Sequence, residues 1–264
     1  MALPVVAPPR SHLGKDRDAN TLLGRAVVGL GLTGLILYLD EDRVVKVAKT
    51  YTLDDFPGHD SGYVEYINDA NRESLRRERW IYERLGDHEG IITCFKASDY
   101  GIELAFAKQG DLERYIKSNA EPHKPIKTRW ILSLTDALSY IHSCRVFVDE
   151  IALRNVLVID GQLKLSDFGQ SYLLALAADV DTICENDLTA KIEIYHLGWV
   201  IYSIAVWGVH KYYYFEHEDP QWPNLQELPP TRHLFCGTII QKCWNGDYAS
   251  MAALNEEAHA LLAK

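Results

Sequence analysis

From Ala26 to Lys49 the chain runs AVVGLGLTGLILYL, a polar turn DEDR, then VVKVAK. β-Branched and apolar runs on both sides of a polar break predict a strand, a glycine loop and a hairpin. Residues 50–70 are acidic and aromatic without a period, and an irregular segment is expected there. Asn71 to Leu85 reads as a helix, with Asn71 as N-cap and Leu75, Trp80, Ile81, Tyr82 and Leu85 as its apolar face. Short strand-like pieces follow at IITCF and GIELAF.

After Gly110 the period changes. Trp130, Ile131, Leu134, Ala137, Leu138 and Ile141 fall on one side of a 3.6-residue repeat, which predicts a helix packed on a core. NVLVID and QLKLS, joined by Asp160-Gly161, predict a hairpin. Ile194 to Val209 is nearly all apolar and should be buried on every side. A small sheet-rich first half and a larger helical second half are therefore expected.

Composition narrows the function classes. A chain of 264 residues with 47% apolar composition can bury a substantial core. Its formal charge of −10 disfavours a nucleic-acid surface, which needs Lys and Arg to displace counterions, and disfavours an anionic membrane surface too. The basic cluster Arg76, Arg77 and Arg79 is interleaved with Glu73, Glu78 and Glu83, as on a solvated helix face. The longest apolar runs fall short of a membrane span, and Pro4, Pro8 and Pro9 break any leader helix, so residues 1–20 are expected to form a flexible tail. Five scattered cysteines without CxxC spacing suggest neither a disulfide framework nor zinc. They fit a reducing compartment, the cytoplasm, with the nucleus still open.

Gly29, Gly31 and Gly34 in GLGLTG match GxGxxG, a pattern shared by two phosphate-binding devices. A dinucleotide loop must open a helix. Here LILYL follows, a strand, so a loop capping phosphates between antiparallel strands fits better. Lys46 and Lys49 lie on the second strand of the hairpin, and one of them should be an ordinary exposed lysine. Val44, Lys46 and Ala48 share a face, which places the Lys46 ammonium near the glycine loop and within reach of phosphates. Glu78 is the helix acid that could orient it. In LKLSDFGQS, residues 163–171, Asp167 offers a carboxylate to a hard cation at a strand end, twelve residues after Asn155.

With these motifs in order, the chain resembles the eukaryotic protein kinase superfamily over residues 21–262, a divergent member of the short fungal kinase-like type. The resemblance implies an α+β, bilobal protein-kinase-like fold: a β-rich N-lobe with one helix at 21–104, and a larger α-helical C-lobe at 105–264. It implies ATP and Mg²⁺ as cofactors and a protein as substrate or partner. Gly29, Gly31, Gly34 and Lys46 would hold phosphates, and Glu78 would hold Lys46. Leu104 stands at the gatekeeper position. Ala105 and Ala107 would offer backbone to adenine, Asp111 would meet the ribose, and Leu157 would lie against the base. Asn155 and Asp167 match the metal-binding positions. HLGWVIYSIAVW and QKCWNGDY resemble later C-lobe elements.

The resemblance departs in the loop VFVDEIALRNVLV. Counting back five from Asn155 reaches Glu150, where the family carries an aspartate base, and Asp149 stands where it carries arginine. The added methylene moves the carboxylate by about 1.5 Å, a displacement that costs about a hundredfold. Asp149 would repel a phosphorylated activation loop. The segment from Asp167 to Glu193 contains no proline and no APE-like end, Glu193 replaces a bracing aspartate, and Ala152 and Arg154 leave Ser/Thr versus Tyr specificity open. Three functions therefore stay in view: a protein kinase of weak activity with Glu150, Lys46 and Glu78 as its catalytic set, a pseudokinase scaffold, and, less favoured, a small-molecule kinase.

Overall fold

The computed structural model describes residues 24–216, 220–224 and 226–263; the expected tail at 1–20 lies outside the described residues. The described chain divides into two compact units, residues 24–87 with 93–106, and residues 88–92 with 107–263.

The first unit is an antiparallel sheet of five strands, β1 (Val27–Leu30), β2 (Gly34–Tyr38), β3 (Arg43–Ala48), β4 (Cys94–Ser98) and β5 (Gly101–Ala105), ordered β1-β2-β3-β5-β4. Alternation splits β3 between two faces. Leu35, Leu37, Val45 and Val47 form a buried cluster on one. On the other, Lys46 pairs in register with Ile36 on β2 and Ile102 on β5.

One long helix, α1 (Ser61–Leu85), completes this unit. It starts ten residues before the expected N-cap: Asp60 caps it by accepting the Tyr63 N–H at 2.9 Å. Asn71 lies inside the helix and donates through its side chain to the Lys49 carbonyl at 3.0 Å. One turn earlier, Asn68 accepts the Tyr51 N–H at 2.8 Å and donates to the Tyr51 carbonyl at 3.0 Å. The first turns are held to the chain after β3 by buried amides rather than by an apolar stripe, so periodicity did not reveal them.

The second unit contains α2 (Leu112–Ser118), α3 (Lys124–Ser143), β6 (Val146–Phe147), β7 (Val156–Ile159), β8 (Gln162–Leu165), β9 (Tyr172–Leu173), α4 (Ala190–Val206), α5 (Gly237–Asn245) and α6 (Met251–Leu262). The six apolar residues read onto α3 are all buried, as expected. So is nearly all of α4, which ends where Trp207 turns left-handed (φ 53°) and stacks on Trp130. Gly198 lets α5 close against α4: a Cβ there would stand 2.8 Å from the Cys243 Cβ. β7 and β8 pair from Val156↔Leu165 to Ile159↔Gln162, and their turn uses Asp160 (φ 50°) and Gly161 (φ 72°), as Asp-Gly predicts. β6 pairs with β9, which ties the chain before the loop at 148–155 to the chain after Asp167-Phe168-Gly169. Among the described residues no helix is long and apolar enough to cross a membrane. The architecture is α+β, a sheet unit with one helix and a helical unit with small hairpins.

Candidate functional site

In the sheet unit, the Lys46 Nζ lies 2.6 Å from the Glu78 carboxylate, and both side chains are buried. A buried charge needs a close opposite charge, because its Coulomb attraction must offset lost hydration. The glycine loop sits beside this pair. Gly31 N–H donates to the Gly34 carbonyl at 2.9 Å, closing the turn between β1 and β2. A Cβ on Gly34 would stand 3.2 Å from the Lys46 Cε and 3.1 Å from the Val47 carbonyl; one on Gly29 would press on the Ile36 side chain at 3.2 Å. Gly34 thus leaves room for the Lys46 side chain. Lys49 is the ordinary lysine, with its Nζ donating to the Leu32 carbonyl at 3.1 Å and its N–H to the Thr33 carbonyl at 2.8 Å. The Thr33 and Ser74 hydroxyls lie 3.1 Å apart and join the loop to α1.

In the helical unit, residues 148–155 form a loop in which every acid has a partner. Glu193 on α4 is fully buried; one of its oxygens accepts the Val148 N–H at 2.6 Å and the other lies 3.0 Å from the His142 Nε2 on α3. Burial pushes its carboxyl above the usual carboxylate range, opposed by His142 and the Val148 N–H. Asp149, also raised by burial, accepts the Tyr213 hydroxyl at 3.2 Å on each carboxylate oxygen. Glu150 is paired with Arg154 through one oxygen, and its other oxygen accepts from the Asn155 Nδ2 at 3.2 Å. The same Nδ2 donates to the Glu150 carbonyl at 3.0 Å.

Asn155 is also held through its backbone, whose carbonyl accepts from the Ser166 N–H at 2.9 Å and the Ser166 hydroxyl at 3.1 Å. Asp167 follows directly, exposed and left-handed (φ 63°), while Phe168 behind it is fully buried. Asn155 and Asp167 are therefore brought together by the β7–β8 hairpin. Oxygen donors of this kind suit a hard cation such as Mg²⁺.

Ala105 and Ala107 fall in different units. The Ala105 N–H is spent on the Thr93 carbonyl at 3.0 Å, and the Ala107 carbonyl accepts from Gly110 N–H at 2.9 Å. Asp111 and Leu157 meet in an isolated antiparallel bridge. Asp111 caps α2 by accepting the Arg114 N–H at 2.9 Å, and its other oxygen lies 3.3 Å from the Arg114 Nε, so its carboxylate already has structural duties.

Sequence reasoning missed two partners of the loop acids. Arg154 lies four residues from Glu150, but the spacing rule that pairs such residues belongs to helices and this stretch is a loop. Tyr213 is 64 residues from Asp149 in a run of tyrosines with no period. Glu150, Arg154, Trp199, Lys211 and Tyr213 are among the residues lining a cavity of about 270 Å³ beside the loop.

The protein kinase domain family matches residues 63–262, from the first turn of α1 to the end of α6. The hairpin bearing the glycine loop and Lys46 precedes the matched stretch. Among characterised proteins, Aurora kinase of Schizosaccharomyces pombe is 29% identical over 159 residues, covering 54% of this chain and 44% of that protein. Dual specificity protein kinase shkE of Dictyostelium discoideum is 22% identical over 218 residues, 72% of this chain and 30% of that protein. Human NUAK family SNF1-like kinase 2 is 30% identical over 125 residues, 46% and 20% respectively. The chain thus spans less than half the length of these relatives.

Proposed function

Because the chain belongs to the protein kinase domain family, we infer that it binds ATP with Mg²⁺ and transfers the γ-phosphate to a protein hydroxyl at a low rate. The observation that carries this reading is the buried Lys46–Glu78 pair at 2.6 Å beside a loop whose Gly34 leaves room for the Lys46 side chain. An ammonium fixed in this way presents a positive charge to phosphate without rearranging, the form of stabilisation on which phosphoryl transfer mainly depends. Backbone of the glycine loop would cover the phosphates, Ala105 and Ala107 would face adenine, and Leu157 would lie against the base. Asp111 would meet the ribose only by loosening its cap on α2. Asn155 and Asp167 would hold the metal, which supplies charge neutralisation when bound.

Glu150 would accept the acceptor's hydroxyl proton as that oxygen bonds to the γ-phosphorus and ADP leaves. The added methylene is countered by Arg154 and Asn155, which draw the carboxylate back onto its own loop. The same contacts favour a second reading. Both Glu150 oxygens are engaged, so a pseudokinase that binds nucleotide for structure and serves as a binding or scaffold module also fits.

Calorimetric titration with ATP and Mg²⁺, run beside a γ-phosphate transfer assay, separates the readings. The kinase reading expects binding lost in Lys46→Ala, and slow transfer abolished in Glu150→Ala. Binding without transfer supports the scaffold. Absence of binding in the wild type overturns the kinase reading and leaves a scaffold that uses no nucleotide.

A further inference from the structure

We propose that Tyr213 is a positioning residue, which fixes the catalytic loop through Asp149 from the segment that follows α4. This rests on the kinase reading given above. The Tyr213 hydroxyl donates toward both oxygens of a half-buried carboxylate, each at 3.2 Å. Asp149 is flanked by Val148, whose N–H is already fixed by Glu193, and by Glu150. Tying the middle side chain removes the freedom left to residue 150, whose carboxylate must hold its place to within a fraction of an ångström.

Tyr213 is itself held firmly. Its ring stacks on His196 of α4, with centroids 5.6 Å apart and planes at 22°, and meets Phe215 edge-on at 5.7 Å. His196 is buried and its Nε2 accepts the Tyr214 N–H at 2.9 Å, so the backbone beside Tyr213 is pinned to the same helix. Tyr214 and Phe215 then pack against a buried cluster of Phe147, Leu174, Val180, Leu188, Ala190 and Ile192. That cluster includes Leu174, Val180 and Leu188 of the segment between Asp167 and α4. One short aromatic run therefore links the loop acid, α4 and the post-Asp167 segment through contacts that need no added phosphate.

The test compares Tyr213→Phe, Asp149→Ala and the double variant in the full chain. Tyr213→Phe keeps the ring, so its stacking and folding are retained. A hydrogen bond to a charged group is lost, and kcat should fall about tenfold with KM for ATP unchanged. The double variant should be no worse than the poorer single variant, because both remove one link. Hydrogen exchange across residues 146–155 should rise about tenfold, with α3 and α4 unaffected. Unchanged kcat and exchange in Tyr213→Phe, or additive losses in the double variant, would overturn the proposal. A uniform rise in exchange across the unit would do the same, by showing a merely structural role. If the wild type transfers no phosphate, the kinase reading fails, and the exchange experiment alone decides whether Tyr213 holds the loop.

Discussion

In the sheet unit the Glu78 carboxylate pairs with the Lys46 ammonium and both are buried; around the loop at 148–155 stand three acids, Asp149 and Glu150 of the loop and Glu193 of α4, each with a different kind of partner. The first arrangement is dictated by regular structure. Strand alternation puts Lys46 on one face, and α1 delivers Glu78 to it. The second carries at each acid a residue other than the one the kinase resemblance implies, yet none is stranded: Glu193 has a backbone N–H and His142, Asp149 has Tyr213, and Glu150 has Arg154 and Asn155. An altered sequence pattern is therefore no evidence of a collapsed site. What changes is the origin of the support, which comes from helices α3 and α4, from the segment after α4 and, for Glu150, from its own loop.

The sharpest way to break the comparison is in the sheet unit. Lys46→Met removes the ammonium beside the buried Glu78 carboxylate and should cost about 3–5 kcal/mol in denaturant unfolding. Adding Glu78→Gln should restore most of that stability without restoring ATP binding. If Lys46→Met is stable alone, the pair is not the electrostatic unit described.

Glu193→Ala should come next. It leaves the Val148 N–H and the His142 ring without their buried partner, a loss of about 3 kcal/mol. Glu193→Gln can still accept from Val148 and donate to His142, and should stay within about 1 kcal/mol of wild type. Equal losses in both variants would mean that charge, rather than hydrogen bonding, braces the loop.

His196, beneath Tyr213, gives the loop side a pH signature. Burial holds its imidazole down at about 4, below its ordinary 6.5. The unfolded chain takes up a proton that the native ring refuses, so stability is full above pH 6.5 and falls as the pH drops toward 4. At pH 4 the loss from this group should be about 3 kcal/mol. Unfolding midpoints of His196→Gln, which retains an acceptor for Tyr214, should fall less steeply over that interval. An unchanged acid slope would assign acid sensitivity to other groups.

The smallest effect expected is that of Glu150→Asp. Restoring the shorter acid removes the methylene but also shortens the reach to Arg154, and transfer should change by less than about tenfold in either direction. A much larger gain would show that Arg154 and Asn155 do not compensate for the added length.

Legibility followed the same division. β2, β3, the β7–β8 hairpin and α3 declared themselves because their apolar residues keep strict periods and their turn carries Asp-Gly. Lys46 and Glu78 could be paired before any coordinates because both sit on regular elements. The first ten residues of α1 could not be read, since Asn68 and Asn71 anchor them through amides to residues 49 and 51. The Tyr213–Asp149 contact was invisible for a related reason: it joins two irregular segments, where spacing along the chain does not fix direction in space. Glu193 lay between these cases. Its position on a buried helix could be read, whereas its two partners needed the fold.

The central claim is that this loop, with glutamate in the base position, still carries phosphate from ATP to a protein hydroxyl. The most direct measurement is single-turnover transfer from γ-labelled ATP with Mg²⁺, comparing the wild type with Glu150→Gln, which keeps size and hydrogen bonding but cannot take the proton. The account predicts slow transfer in the wild type and a loss of about a hundredfold or more in Glu150→Gln. Equal rates in the two proteins would contradict it.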